Sequence, residues 1–412
     1  MQTHNIQEIS TTGKVPWRLF ILLFMFATVG QLSVDLYLPS LPAISHVFGA
    51  GRSTVQMTIA VYLLGVGASQ LFYGPWSDAV GRRRPLLTGV SLTVVGGIVC
   101  CVAPNIHILI AGRLLQGIGA GVCNSVGRSL LRDLVSGHYL SRLAGQMGMA
   151  SSFMVAVAPT IGGYIEHYTS WRVSFLVMFL YASSVLVMLW YSLPETHQNP
   201  DPSAIRFKGL VHNYGQLLKS PVFMGNAFCA SIAYSGIIAY LTAAPFLLQS
   251  TLHVSPVQFG WLALLNAIGI FSSGWINTHC VIRYGIHKML LCGVSAMIAG
   301  AVIMLIIGCF GVLNVAVIVL PMALLCVGAG LSFQNASAGA LESFGHIAGS
   351  AGAVYGTLQI SSGALVSGFI ALLHEKTQMP LAATQVSLAL LALIAWKVAQ
   401  RAEKRATSEI AR

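Results

Sequence analysis

Apolar runs of about 20 residues recur from one end of the 412-residue chain to the other. A helix needs roughly that length to cross about 30 Å of hydrocarbon, and in lipid only helices and closed barrels satisfy every backbone amide internally. Twelve runs are counted, at approximately 18–38, 54–74, 85–103, 106–127, 143–164, 172–192, 222–249, 257–278, 287–309, 312–333, 350–373 and 380–398. The expected fold is therefore an all-α polytopic membrane protein with 12 transmembrane helices. Only 8% of residues are charged, against about 25% in a soluble domain. The first run is too long for a signal-peptide core and no small-residue cleavage site follows it, so it reads as a retained helix.

The net charge of +11 points to nucleic acid only until its placement is mapped. With the N-terminus inside, one face holds Lys14, Arg18, Arg82, Arg83, Arg84, Arg128, Arg132, Arg142, Arg206, Lys208, Lys219, Arg283, Lys288 and the basic tail from Lys397. The other face holds Arg52, Arg172 and Lys376. Because Lys and Arg set orientation in membranes, both termini are expected in the cytoplasm, and no nucleic-acid partner is expected. The eight cysteines lack metal-ligand spacing. No H-E-x-x-H set, Ser nucleophile elbow or phosphate-cradling loop occurs, so an enzyme, a metal and a nucleotide cofactor are all disfavoured.

The polar stretch at 193–221 separates six runs from six, which sets an N-terminal bundle at 1–192, a cytoplasmic linker at 193–221 and a C-terminal bundle with a basic tail at 222–412. "LLQGIGAGVCN" (114–124) is echoed by "LLCVGAGLSFQN" (324–335), the internal repetition expected of a duplicated transporter unit.

Four stretches carry the functional expectations. In "GPWSDAVGRRRP" (74–85), Gly74 and Gly81 permit a tight turn, Asp78 can pair or cap a helix end, and Arg82 and Arg83 hold the loop at the surface. In "AGRLLQGIGAG" (111–121), Arg113 sits inside an apolar span, where a charge costs on the order of 2.5–3.5 kcal/mol and marks a functional candidate. Around "AVAPTIGGYIEH" (156–167), Pro159 loosens a helix, and Gly162 and Gly163, with Gly148 upstream, suit close helix packing. In "QLSVDLYLPS" (31–40), Asp35 is the one acid placed clearly within a span. At about 1.5 Å per residue it lies roughly 26 Å along the first helix, which puts it near the outer rim. Gln31, Tyr37, Tyr62, Gln116, Asn124, Tyr234, Tyr240, Asn266, Asn335 and Gln359 are polar or aromatic candidates for the walls of a substrate cavity.

The loop pattern G-x-x-x-D-x-x-G-R-[RK] resembles the signature loop of the major facilitator superfamily, and "GRLLQGIGAG" resembles its helix-4 motif. "APTIGG" is similar to the helix-5 motif of the superfamily's drug:proton antiporters, with Ala158 in place of the glycine before proline. Together with "VDLYLPSLPAIS" the set resembles the Bcr/CflA subfamily of multidrug and bicyclomycin-type exporters. The resemblance implies two six-helix bundles rocking about a central cavity. It also implies proton-coupled efflux of amphipathic small molecules or drugs across a bacterial inner membrane by a monomer, with the proton gradient as energy source. In that setting Asp35 and Arg113 are implied in proton coupling, and loop 74–85 is a cytoplasmic latch. Export of a metabolite such as an amino-acid derivative, peptide or siderophore is the alternative. The second-half loop "GWINTHCVIRYGIHK" (274–288) keeps the glycines and basic residues but lacks the acid.

Overall fold

The structure, a computed structural model, describes residues 15–135, 137–197, 207–342, 344, 347–373 and 377–410. Lys14, Arg206 and Lys376 of the charge pattern lie outside these residues, as do the side chains of 207–211. Among the described residues, 12 helices are long and apolar enough to cross a membrane.

The first span is α1 (Trp17–Asp35), a short 3-10 turn (Leu38–Ser40) and α2 (Leu41–Phe48). It runs Trp17–Phe48, 32 residues, and does not stop at residue 38 as its apolar run suggests. Pro39 and Pro42 each occupy one of the first two positions of the next helical piece, where a missing N–H costs nothing. Asp35 therefore lies near the middle of the span, not at its outer rim.

The next five spans are α3 (Arg52–Val80), α4 (Arg83–Cys101), α5 (Ile106–Leu134), α6 (Gly137–Tyr168) and α7 (Trp171–Ser192). The stretch that reads as a polar linker contains a further helix, α8 (Phe207–Lys219). Then follow α9 (Pro221–Ala244) with its π-helical turn (Pro245–Thr251), α10 (Pro256–Tyr284), α11 (Ile286–Cys309), α12 (Val315–Glu342), α13 (Ala348–Leu372) and α14 (Met379–Ile410). Polar caps start several of them. Asn105 accepts from the Ile108 amide at 3.0 Å, and Ser255 with Gln258 forms a reciprocal capping box on α10. An even number of spans brings both ends of the chain to one face, called here the terminal face; the opposite one is the far face.

Within the first six spans, α5 packs on α3 and α4, α4 on α7, and α1 on α6. Within the last six, α12 packs on α11 and α10, and α9 on α12, α13 and α14. The two "GAG" stretches hold corresponding positions. A Cβ at Gly119 would strike the Gly89 carbonyl and one at Gly328 the Gly293 carbonyl, while Gly121 lies against Ser69 and Gly330 against Ser273. The result is two pseudo-symmetric six-helix bundles. They meet along two seams, α3 against α13 and α6 against α10.

On α6, Gly162 against the first span and Gly163 on the second seam admit no side chain. A Cβ would strike the Leu36 carbonyl at the first and the Pro256 carbonyl at the second, whereas Gly148 has open space around it. Overpacking typically costs about 1–3 kcal/mol. Gly162→Ala should therefore lower the melting temperature of the detergent-solubilised protein by several degrees and Gly148→Ala should leave it unchanged, as read by a thermal unfolding scan of each.

Candidate functional site

Arg113 is fully buried in α5. One guanidinium nitrogen, Nη1, donates to the Ser33 carbonyl of α1 at 2.8 Å and to Gln116 Oε1 at 2.6 Å. The guanidinium lies over the rings of Tyr62 (4.1 Å), Tyr37 (4.4 Å) and Phe175 (5.9 Å). Those rings are held in turn, since the Tyr62 hydroxyl donates to the Gly30 carbonyl at 3.0 Å and the Tyr37 hydroxyl bonds Thr58 at 3.1 Å. Nε and Nη2 have no hydrogen-bond partner. The charge is thus met by aromatic faces and a backbone carbonyl, not by a carboxylate.

Asp35 is 1% exposed, and its Oδ2 accepts from Gln31 Nε2 at 2.5 Å while Oδ1 has no partner. It forms no ion pair with Arg113; the three ion pairs among the described residues involve Arg82 and His287. Half-buried Tyr234 of α9 lies within electrostatic reach of Asp35 from the other bundle.

The ten cavity candidates separate accordingly. Gln31 and Tyr234 belong to Asp35, and Tyr37, Tyr62 and Gln116 to Arg113. Tyr240 and Asn266 are buried in the second bundle, the Asn266 amide without a partner. Asn335 is committed to helix packing, donating to Asn277 Oδ1 at 2.7 Å and to the Leu331 carbonyl at 2.8 Å. Asn124 is exposed on α5 and Gln359 half-buried on α13. Glu166, in the last turn of α6, has one buried oxygen lacking a partner.

The second bundle repeats the pinning of its first helix without the charge. Met322 stands where Arg113 stands in the first bundle, and Gln385 of α14 donates instead to the Gly236 carbonyl of α9 at 2.8 Å, with its amide 3.9 Å from Met322 Sδ. Gln116 makes the same 3.9 Å approach to Met178 Sδ in the first bundle.

At the terminal face, Arg82 gathers the loop between α3 and α4. Its Nε donates to Asp133 Oδ2 at 2.7 Å, and Nη1 donates to Ser77 Oγ at 2.8 Å and also to Asp78. Burial acts to lower the Arg82 pKa, but the bonds and charges of Asp133 and Asp78 outweigh it and hold the pKa above its ordinary value. Glu195, just past α7, accepts from the Arg82 amide at 2.7 Å and from the Arg83 amide at 3.1 Å. Gly81, at φ +92°, is the turn that allows this, and a Cβ there would strike the Glu195 carboxylate. Arg83 donates to the Trp190 carbonyl at 2.8 Å. Gly74 faces Ala353 and Asp78 faces Gly349, both on α13, with 3.9 and 3.8 Å to the position a Cβ would take. In the second bundle the missing acid arrives from α14, where Glu403 lies 3.2 Å from His287 and accepts from Asn226 at 3.1 Å.

The bundles are joined at the far face by neutral bonds. Gln56 donates to the Thr242 carbonyl, Gln249 to the Pro39 carbonyl and Thr160 to the Gly260 carbonyl, each at 3.0 Å. Pro159 stands inside α6 at this seam, and its carbonyl faces Gly260. Toward the terminal face α6 opens out: Leu143 and Met147 are buried against the first bundle, while Ala144, Gly145, Gly148 and Met149 are exposed.

Paired six-helix bundles that meet along two seams, with buried charged groups between their helices, are the architecture of a membrane transporter. The chain belongs to the Major Facilitator Superfamily, whose family model matches residues 19–369. It is 30% identical to multidrug resistance protein D of Escherichia coli, over 92% of this chain and 94% of that one. It is 29% identical to the chloramphenicol resistance protein of Pseudomonas aeruginosa, over 90% and 88%. The fold matches the crystal structure of a D-xylose-proton symporter with a TM-score of 0.74, covering 93% of this chain and 97% of that one at 16% identity.

Sequence reasoning missed Glu195 and Asp133, both acids at the ends of apolar helices whose partner is far along the chain. Glu195→Ala should release the loop, and hydrogen exchange at the Arg82 and Arg83 amides should accelerate by at least about tenfold, the equivalent of one charge-assisted bond. Mass-resolved exchange of residues 78–86 reads this directly.

Proposed function

We propose that the chain exports amphipathic small molecules, drugs among them, in exchange for protons. The bundles 1–192 and 222–412, joined by 193–221, rock about the space between them, with both termini in the cytoplasm of a bacterium and the monomer as the working unit. The names of the two resistance relatives support export of drugs, and the excess of Lys and Arg on the terminal face supports the orientation.

The observation that carries the coupling is the state of Asp35: an intramembrane carboxyl bonded to one neutral amide, with a free oxygen and no ion pair. Such a group exchanges a proton without breaking a salt bridge. Tyr234 of the opposite bundle lies close enough to sense its charge. Desolvation and nearby charges set a carboxyl's hold on its proton, and both change at Asp35 when the bundles move. Arg113 acts at a distance, by fixing the Ser33 carbonyl two residues away. The loop held by Asp78, Arg82, Arg83, Gly81 and Glu195 latches the terminal face against α13.

The test is uptake of chloramphenicol and of a cationic dye into proteoliposomes under an imposed pH gradient. Asp35→Asn should lose gradient-driven accumulation by at least tenfold while keeping exchange of labelled for unlabelled compound without a gradient. Gradient-driven transport at the wild-type rate in Asp35→Asn would remove the residue from coupling.

A further inference from the structure

α5 carries a second arginine within its helical length. The apolar run ends at residue 127 and leaves Arg128 in a loop, but α5 continues to Leu134, so Arg128 lies more than a turn inside it. Its Nε donates to the Asn124 carbonyl of its own helix at 3.1 Å, and its Nη2 crosses to the Gly352 carbonyl of α13 at 3.3 Å. That contact aims the side chain between the two bundles and away from lipid. Unlike caged Arg113, Arg128 is exposed. None of the ion pairs among the described residues involves it.

The immediate surroundings leave polar atoms unused. Gln70 of α3 is fully buried with Oε1 unpartnered. Tyr355 of α13 is 2% exposed, its hydroxyl likewise unpartnered and within electrostatic reach of Arg128. Both Gln70 and Arg128 close on Gly356, where a Cβ would strike Gln70 Oε1 and stand 3.3 Å from Arg128 Nη2. The other charge felt at this position is Arg132, of the same sign. An arginine that served only as a membrane anchor would extend toward headgroups; this one is turned to the opposite bundle with most of its donors free.

We propose that Arg128 is a specificity-determining residue that receives the carboxylate of an amphipathic organic anion entering from the terminal face, with Tyr355 as a second donor. The guanidinium fork matches a carboxylate in two parallel bonds, and Asp35, the carboxyl near the middle of the first span, is buried. This inference rests on the exporter reading above and adds a cargo class to it.

The experiment compares a fluorescent aromatic monocarboxylate with its uncharged primary amide in proteoliposomes under a pH gradient. The measured quantity is the ratio of the two export rates for wild type, Arg128→Gln and Arg128→Lys. Arg128→Gln keeps an amide to donate to Gly352 but removes the charge, and the carboxylate-to-amide ratio should fall at least about tenfold, as loss of a charged hydrogen bond requires. Arg128→Lys should restore much of the ratio. An unchanged ratio in Arg128→Gln overturns the proposal, as does a wild type that exports the amide and not the carboxylate; in both cases the exporter reading stands. A wild type that exports neither probe but accumulates chloramphenicol under the gradient overturns this inference and leaves the exporter reading; one that transports none of the three removes both.

Discussion

A guanidinium enclosed in a membrane bundle with no acid beside it is the constraint around which the first bundle is built. Inserting such a charge costs on the order of 2.5–3.5 kcal/mol. Two close aromatic faces at about 0.5–2 kcal/mol each offset much of that, and the Ser33 carbonyl and Gln116 take the donors that point at them. To supply these contacts α1, α3, α5 and α7 must converge at one level, and each aromatic ring that faces Arg113 comes from a different element. The second bundle does the same mechanical job with neutral Gln385 on the Gly236 carbonyl. Pinning the first helix of a bundle therefore does not require charge, and the positive charge is what the first bundle adds.

The consequence for function lies in the separation of the two intramembrane charges. An Asp35–Arg113 salt bridge would resist protonation and lock α1 to α5. Instead the cation is stabilised by rings and a backbone carbonyl, and the acid keeps one oxygen free. Asp35 stands near the middle of a broken first span, on the chain that leads through the Leu38–Ser40 turn into the far-face seal. The seal itself uses neutral amide and hydroxyl bonds to backbone carbonyls, which exchange for water at little net cost. At the terminal face the charged contacts lie within single bundles, Arg82 with Asp78 and Asp133 in the first and His287 with Glu403 in the second. The far face is thus sealed by neutral bonds between the bundles, while the charged contacts of the terminal face hold each bundle to itself.

Much of the fold was legible in the sequence because hydrocarbon thickness dictates helix length, and the two "GAG" stretches carry the duplication in the sequence itself. Depth and partnership were less legible. Pro39 and Pro42 look like the end of a helix but serve as first-turn residues, and this misplaced Asp35 by half a span. Apolar run lengths understate α5, which hid Arg128 inside a helix. The partners Glu195 and Asp133 for the Arg82 loop, and Glu403 for His287, lie tens of residues or more from what they bind. No local pattern encodes such pairs. The cavity candidates are polar or aromatic residues, and several form the cage of Arg113 or, as with Asn335, the glue between two helices.

The central claim is that the unpaired Asp35 carboxyl is the group whose proton is exchanged for cargo. The most direct measurement is proton release in weakly buffered detergent solution at neutral pH when chloramphenicol is added to the purified protein. Wild type should release protons in proportion to bound compound, and Asp35→Asn should bind the compound and release none. Equal release from both proteins would contradict the account and place the exchanged proton elsewhere.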